Sequence, residues 1–182
     1  IICLSGCMTS EINRCLLNNR SEEALKAAKE YKDIFGADRF FIEVQNNKLE
    51  QQARLVSEAT AIARKLEVPL VATNDVHYMN RDDATAHDAL LCINTGKHLS
   101  DVQRLRFGTN EFYFKNFQEM LDVFQPIPEA LESTVRIAER CNVEMTFGKV
   151  HLPKFIPPDG MSNNTYLRKL CEEGAVQKYG SL

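Results

Sequence analysis

The chain has 182 residues, a net charge of −3 and 44% hydrophobic residues. That length and apolar content suit a single domain with a full-sized core, and the charge gives no electrostatic case for nucleic-acid binding. No apolar run approaches the roughly 20 residues of a membrane helix, which excludes a helical span and argues against a membrane partner.

Residues 1–4 read as a buried strand that runs into Leu4-Ser5-Gly6-Cys7. The chain opens inside this apolar run, not on Met, and no charged leader precedes it, which suggests a piece of something longer. Ser21 is the expected N-cap of a first helix, with Glu22 and Glu23 in its positive first turn. Leu25, Ala28, Tyr31, Ile34 and Phe35 follow helical spacing, and Gly36 ends it. Residues 40–45 form a second strand. Residues 50–66 place Ala53, Val56, Ala59, Ala63 and Leu66 on one face of a second amphipathic helix. A third strand over 68–74 leads into Asn74-Asp75-Val76-His77-Tyr78. A helix over 82–94 follows, capped by Asp82 and Asp83 and closed by Gly96.

The second half differs. Asn116 and Glu119 match a capping box for a short helix through Phe124, and Pro128 starts another, to Ala138. Residues 151–160 are proline-stiffened and read as a linker; a last helix begins over 166–173. Six cysteines at irregular spacings, without a C-x-x-C, read as reduced thiols of a cytoplasmic protein.

Strands alternating with long helices imply parallel β-α units, whose functional loops lie at the strands' carboxyl ends. Here those ends hold Cys7, residues 45–47, and Asp75 with His77. An Asp-x-His pair offers a hard oxygen and an imidazole on one side of an extended segment. A thiolate from a neighbouring strand adds a third donor, a set that suits a zinc-like ion with an open position for water. The competing reading makes Asp75 a turn cap and packs His77 beside Tyr78. Glu43, inside the second strand, is either a rim carboxylate or, if buried, in need of Lys, Arg or a metal. His87 reads as a packing or capping residue on its helix. His98 reads as solvated, and His151 as structural in the linker. Lys97, Arg104 and Arg106 form a small basic cluster, by default a solvated loop. Phosphate-loop, serine-elbow and dinucleotide fingerprints are absent, as is the carboxylate cluster of a two-metal polymerase site.

Leu4-Ser-Gly-Cys7, Ile42-Glu-Val-Gln45, residues 69–78, and His87-Asp-Ala-Leu-Leu-Cys with Thr95-Gly-Lys97 closely resemble the alpha-subunit family of bacterial replicative DNA polymerase III, the C-family polymerases. Glu111-Phe-Tyr-Phe-Lys115, Ala138-Glu-Arg-Cys-Asn142 and Lys149-Val-His-Leu-Pro153 extend the likeness along the whole chain. It implies an α/β fold, part of a distorted (β/α)7 PHP (polymerase and histidinol phosphatase) barrel followed by a helical and extended linker. Residues 1–150 would be the carboxyl-terminal part of the PHP domain. Residues 151–182 would be the linker and first helix leading into the polymerase body, with truncation at both ends.

By motif match, Cys7, Asp75 and His77 would be this segment's share of a PHP site holding up to three zinc or manganese ions, with Glu43 and Asn74 behind them. The family's His-x-His motif would lie before residue 1 and the magnesium-binding palm carboxylates beyond residue 182, leaving no polymerisation residue within the segment. The parent would extend DNA primer-templates with dNTPs, working with a sliding clamp, a clamp loader and proofreading exonuclease subunits. The PHP part would be a phosphoesterase, a 3′-5′ exonuclease or a structural domain. The alternatives are a free-standing PHP-type metallophosphoesterase and a non-catalytic scaffold docking a proofreading subunit.

Overall fold

A computed structural model describes residues 1–180, which separate into two compact units divided between Asn142 and Val143. The first unit is built on three parallel strands in the order β1 (Cys3–Leu4), β2 (Phe40–Gln45), β3 (Leu70–Thr73). Cys3 pairs with Phe40, and Ile42 through Gln45 pair with Leu70 through Thr73. Helices α1 (Glu11–Leu17) and α2 (Ser21–Phe35) join β1 to β2, and α3 (Gln52–Leu66) joins β2 to β3. Parallel neighbours require such crossovers, so all three carboxyl ends lie on one edge. The expected β-α alternation is therefore present.

Phe40, Ile42 and Val44 on β2, Leu70 and Ala72 on β3, and Ala24, Ala28, Leu55, Ala59 and Ala63 on the helices form one buried cluster. Burial at Phe40, Phe41, Ile42 and Val44, interrupted only by half-buried Glu43, fits a strand covered on both faces. Helix α6 (Glu129–Arg140) packs against β3 and contributes Ala130 and Leu131.

Several elements differ from expectation. Only two residues of the first apolar run pair as strand, because Ile1 is 98% exposed. Helix α1 was not foreseen. Ser10 caps it by accepting the Asn13 N–H at 3.4 Å, and its seven residues are too few to show a clear period. Ser21 is the first residue of α2 rather than its cap; the cap is Arg20, which makes no side-chain capping bond. Asp82 and Asp83 form a 3₁₀ turn, Arg81–Asp83, ahead of α4 (Ala84–Thr95), which Gly96 closes in the left-handed conformation.

Helix α5 (Phe117–Phe124) starts with the expected capping box. Asn116 accepts the Glu119 N–H at 3.0 Å, and Glu119 accepts the Asn116 N–H at 2.8 Å. That second bond and the Tyr113 hydroxyl hold the Glu119 carboxyl below its ordinary pKa. Asn116→Ala is expected to lower stability by about 1 kcal/mol, read as the midpoint of thermal unfolding; an unchanged midpoint would show that the cap contributes nothing.

The second unit holds an extended stretch, a 3₁₀ turn at Pro158–Gly160 and α7 (Asn163–Tyr179), capped by Ser162. Phe155 stacks on Tyr166 with ring centres 5.8 Å apart. No helix among the described residues is long and apolar enough to cross a membrane.

Candidate metal centre

The turn after β1 is fixed by hydrogen bonds that its sequence makes possible. Gly6 has φ +84°, and a Cβ there would lie 3.1 Å from the Ser10 Cβ, so only glycine fits without strain. The Gly6 N–H donates to the Glu43 carboxylate at 3.1 Å, while Ser5 Oγ accepts the Glu43 N–H at 2.8 Å. Asn13 Nδ2 holds the Gly6 and Cys7 carbonyls at 3.2 and 3.0 Å. The turn thus presents the Cys7 thiol beside Thr9 Oγ1, 3.1 Å away.

Glu43 is half-buried and, among the described residues, makes no ion pair with Lys or Arg. Its carboxylate instead accepts from Gly6 N–H, the Thr73 hydroxyl at 2.5 Å and Gln45 Nε2 at 3.1 Å. Neutral donors thus satisfy the carboxylate, and they tie β1 to β3 across β2.

After β3 the chain turns through Asp75 at φ +52°, an uncommon conformation for a residue other than glycine, in which aspartate is enriched. Asp75 Oδ1 lies 3.4 Å from His77 Nε2. Two donors each bonded at about 2.0–2.2 Å in a tetrahedral shell stand roughly 3.3–3.6 Å apart. The pair already has the separation of two ligands on one ion. Both side chains are more than a third exposed, so solvent and a cation can reach them. Cys7 and Asp75 line a common cleft with Arg106, Phe107 and Phe112. His77 borders it through its ring contacts with Phe107 (4.8 Å) and Phe112 (5.4 Å). Among the described residues, no three His, Cys, Asp or Glu side chains converge as a ready metal cage. The donor chemistry fits a metal, and the structure assembles two of the three donors.

His87 packs. Its ring lies 4.9 Å from Phe107, 5.3 Å from Tyr78 and 5.4 Å from His77. Burial, with His77 adding to it, holds its pKa below the ordinary histidine value. The basic cluster is not uniformly solvated. The Arg104 side chain is 4% exposed and forms a forked pair with Asp88 at 2.5 and 2.6 Å, which holds the Asp88 carboxyl below its ordinary pKa. Only the neighbours of Arg104 in that cluster remain at the surface.

The largest omission from the sequence reading is the strap of residues 111–115. Phe112 O accepts the His77 N–H at 2.8 Å, and the Phe114 N–H donates to Tyr78 O at 3.0 Å. Asn74 Nδ2 donates to Tyr113 O at 2.7 Å, and Asn74 Oδ1 accepts from Lys115 Nζ at 3.2 Å. Fully buried Asn47 donates to the carbonyls of both Asn74 and Glu111, at 2.8 and 3.1 Å. Beneath this lies a charge cluster centred on buried Glu111 and Lys115. Glu111 pairs with Lys48 at 3.1 Å, Arg81 at 3.2 Å and Lys115 at 3.6 Å, and Lys115 also donates to the Glu111 carbonyl. Burial pushes the Lys115 pKa down, although Glu111 opposes the shift. Arg81 and Lys115 flank the Tyr113 ring at 4.8 and 4.4 Å. The signal available in the sequence was a run of three aromatic residues between an acidic and a basic one in Glu111-Phe-Tyr-Phe-Lys115.

With strand ends, a glycine-dependent thiol turn and an Asp-x-His loop in place, the chain can be set beside known proteins. Residues 1–47 match the PHP domain. Over nearly its full length the chain is similar to bacterial proteins named DNA polymerase III subunit alpha. It is 41% identical to that of Treponema pallidum over 98% of this chain, 42% identical to that of Borreliella burgdorferi over all of it, and 38% identical to that of Thermus aquaticus over 98%. The resemblance read from the motifs is thereby borne out. The chain spans 15–16% of the length of these three relatives. PHP domains generally bind metals.

Proposed function

We propose that this chain is the PHP-bearing segment of a replicative DNA polymerase alpha subunit, and that Cys7, Asp75 and His77 supply its part of a metal site. The observation that carries the first statement is identity of 36–42% to alpha subunits in alignments that cover 98–100% of the chain. A free-standing metallophosphoesterase would not require that likeness to continue past the α/β unit. The parallel β1-β2-β3 sheet is consistent with part of a (β/α)7 PHP barrel, with residues 1–150 as its later portion and 151–182 as the way into the polymerase body. The relatives' name supports DNA synthesis as the whole protein's activity; primer-template and dNTPs as substrates, magnesium at a polymerase site elsewhere, and clamp, clamp loader and proofreading subunits as cytoplasmic partners are part of this proposal.

Within the segment, the 3.4 Å Asp75–His77 spacing supports metal ligation. Glu43 and Asn74 hold the loops behind the donors. A bound zinc or manganese ion would supply Lewis acidity toward a phosphate ester and an acidified water. The protein's own part is to fix the donors: Gly6 and Asn13 set the Cys7 turn, and the 111–115 strap sets the Asp75–His77 loop. One reading stops at a scaffold role, and the aromatic packing of His77 favours it.

The full-length chain is expected to extend a primed template in the presence of magnesium, while residues 1–182 alone show no extension. Primer extension by the 182-residue chain would place a polymerase site where none is expected, and a full-length chain unable to extend would remove the polymerase reading.

A further inference from the structure

The two donor-bearing arms leave the sheet from β1 and β3, and one carboxylate on the strand between them touches both exits. Gln45 pairs with Thr73 in the parallel register. Residues two apart on a strand share a face, so Glu43, Gln45 and Thr73 stand on the same side of the sheet. The Thr73 hydroxyl donates to one Glu43 oxygen at 2.5 Å and accepts from Gln45 Nε2 at 2.9 Å. The other Glu43 oxygen accepts the Gly6 N–H at 3.1 Å. Cys7 is the next residue after Gly6, and Asp75 lies two beyond Thr73. A short path, Thr73 Oγ1 to Glu43 to Gly6 N, therefore runs between the arms.

This path stands apart from the core. Glu43, Gln45 and Thr73 are half-buried at the edge where the strands end, outside the buried apolar cluster. The Asp75–His77 loop has an anchor of its own, since Asn74 Nδ2 donates to Tyr113 O at 2.7 Å and the His77 N–H to Phe112 O at 2.8 Å. What relates the Cys7 turn to β3 is the Glu43 carboxylate. Breaking the path at Thr73 should thus disturb the approach of the thiolate and leave Asp75 and His77 at their 3.4 Å spacing.

We propose that Thr73 is a positioning residue for the metal site. Its hydroxyl orients the Glu43 carboxylate, and Glu43 in turn fixes the Cys7 turn where the thiolate can close on an ion held by Asp75 and His77. The inference rests on the metal reading of those three donors. Thr73 acts through Glu43 and not on the ion itself.

Cobalt(II) is the probe, because a thiolate bound to it gives a near-ultraviolet charge-transfer absorption that oxygen and nitrogen donors do not. The full-length chain is stripped of metal and titrated with cobalt well below the melting midpoint of each variant, so that folded protein alone is read. Cys7→Ser identifies the absorption that belongs to Cys7. Thr73→Val keeps the branched shape and removes the hydroxyl. It is expected to weaken cobalt binding by about tenfold, within the range for changes outside the ligand shell, and to abolish most of the thiolate absorption per bound cobalt. Thr73→Ser retains the hydroxyl donor and should stay within about twofold of wild type. Undiminished absorption and affinity in Thr73→Val overturns the positioning role and leaves the metal reading standing, whether or not the metal-free variant melts earlier. Thr73→Ser as impaired as Thr73→Val overturns it too, since the hydroxyl is then not the cause. Wild-type protein that takes up no cobalt, shows no thiolate absorption, or keeps that absorption in Cys7→Ser overturns the three-donor reading and the positioning role with it.

Discussion

Glu111→Ala is expected to destabilise the fold by about 3–5 kcal/mol, the cost of breaking a buried charge pair by removing one partner. The Glu111 side chain is 5% exposed and that of Lys115 1% exposed. Without the carboxylate, the Lys115 ammonium is left in a site whose burial already disfavours its charge. In a chain of this length such a loss lowers the melting midpoint by roughly 10 °C, measurable by circular dichroism. Lys48 is the contrasting control. It contacts the same carboxylate but is 63% exposed, so Lys48→Ala should cost less than about 1 kcal/mol. Replacing Glu111 and Lys115 together by apolar residues of similar volume should recover much of the loss, because no orphan charge remains. A shift below about 2 °C for Glu111→Ala would mean that the cluster is not a structural lock.

The second large effect concerns the metal. Full-length protein is expected to carry zinc or manganese in fixed stoichiometry, measured by mass spectrometry of the dialysed protein. Asp75→Asn combined with His77→Ala should weaken uptake by more than the roughly 10–100-fold that changes outside the ligand shell cost. Two donors are lost at once, and Cys7 alone does not hold an ion. Asp75→Asn preserves size and removes only the charged oxygen donor. Because His77 also packs on Phe107 and Phe112, His77→Gln is the companion to His77→Ala, separating lost ligation from lost packing. Wild-type protein free of metal, or a double variant with unchanged content, leaves the PHP portion as a scaffold.

Local rules carried the sequence reading a long way, and the places where it failed share a cause. Strand β2 and the α5 capping box were legible because each is decided within a few residues, by apolar residues at one site and reciprocal side-chain caps at the other. Helix α1 was lost because it is short and its buried residues, Ile12, Asn13, Cys15 and Leu16, include a polar one. Ser21 misled because a good capping residue can also sit at the first helical position.

The candidate donors were legible as types at strand ends. Their support was not. Lys48 meets Glu111 across 63 positions, and Asn47 meets Asn74 across 27. Such polar pairings leave no periodic trace. Arg104 shows the same limit, since nothing near it in sequence announces that Asp88, 16 positions earlier, will bury it.

The left-handed backbone at Asp75 narrows what can replace it. Glycine and asparagine adopt φ +52° readily, but glycine has no donor and asparagine only a neutral oxygen. Glutamate keeps the charge but gains a methylene and loses the short side chain that helps aspartate tolerate this conformation. Aspartate alone combines a tolerable backbone with an anionic donor. A lineage that gives up the metal can therefore drift to glycine or asparagine here at little cost in stability, whereas one that keeps it has almost no alternative residue.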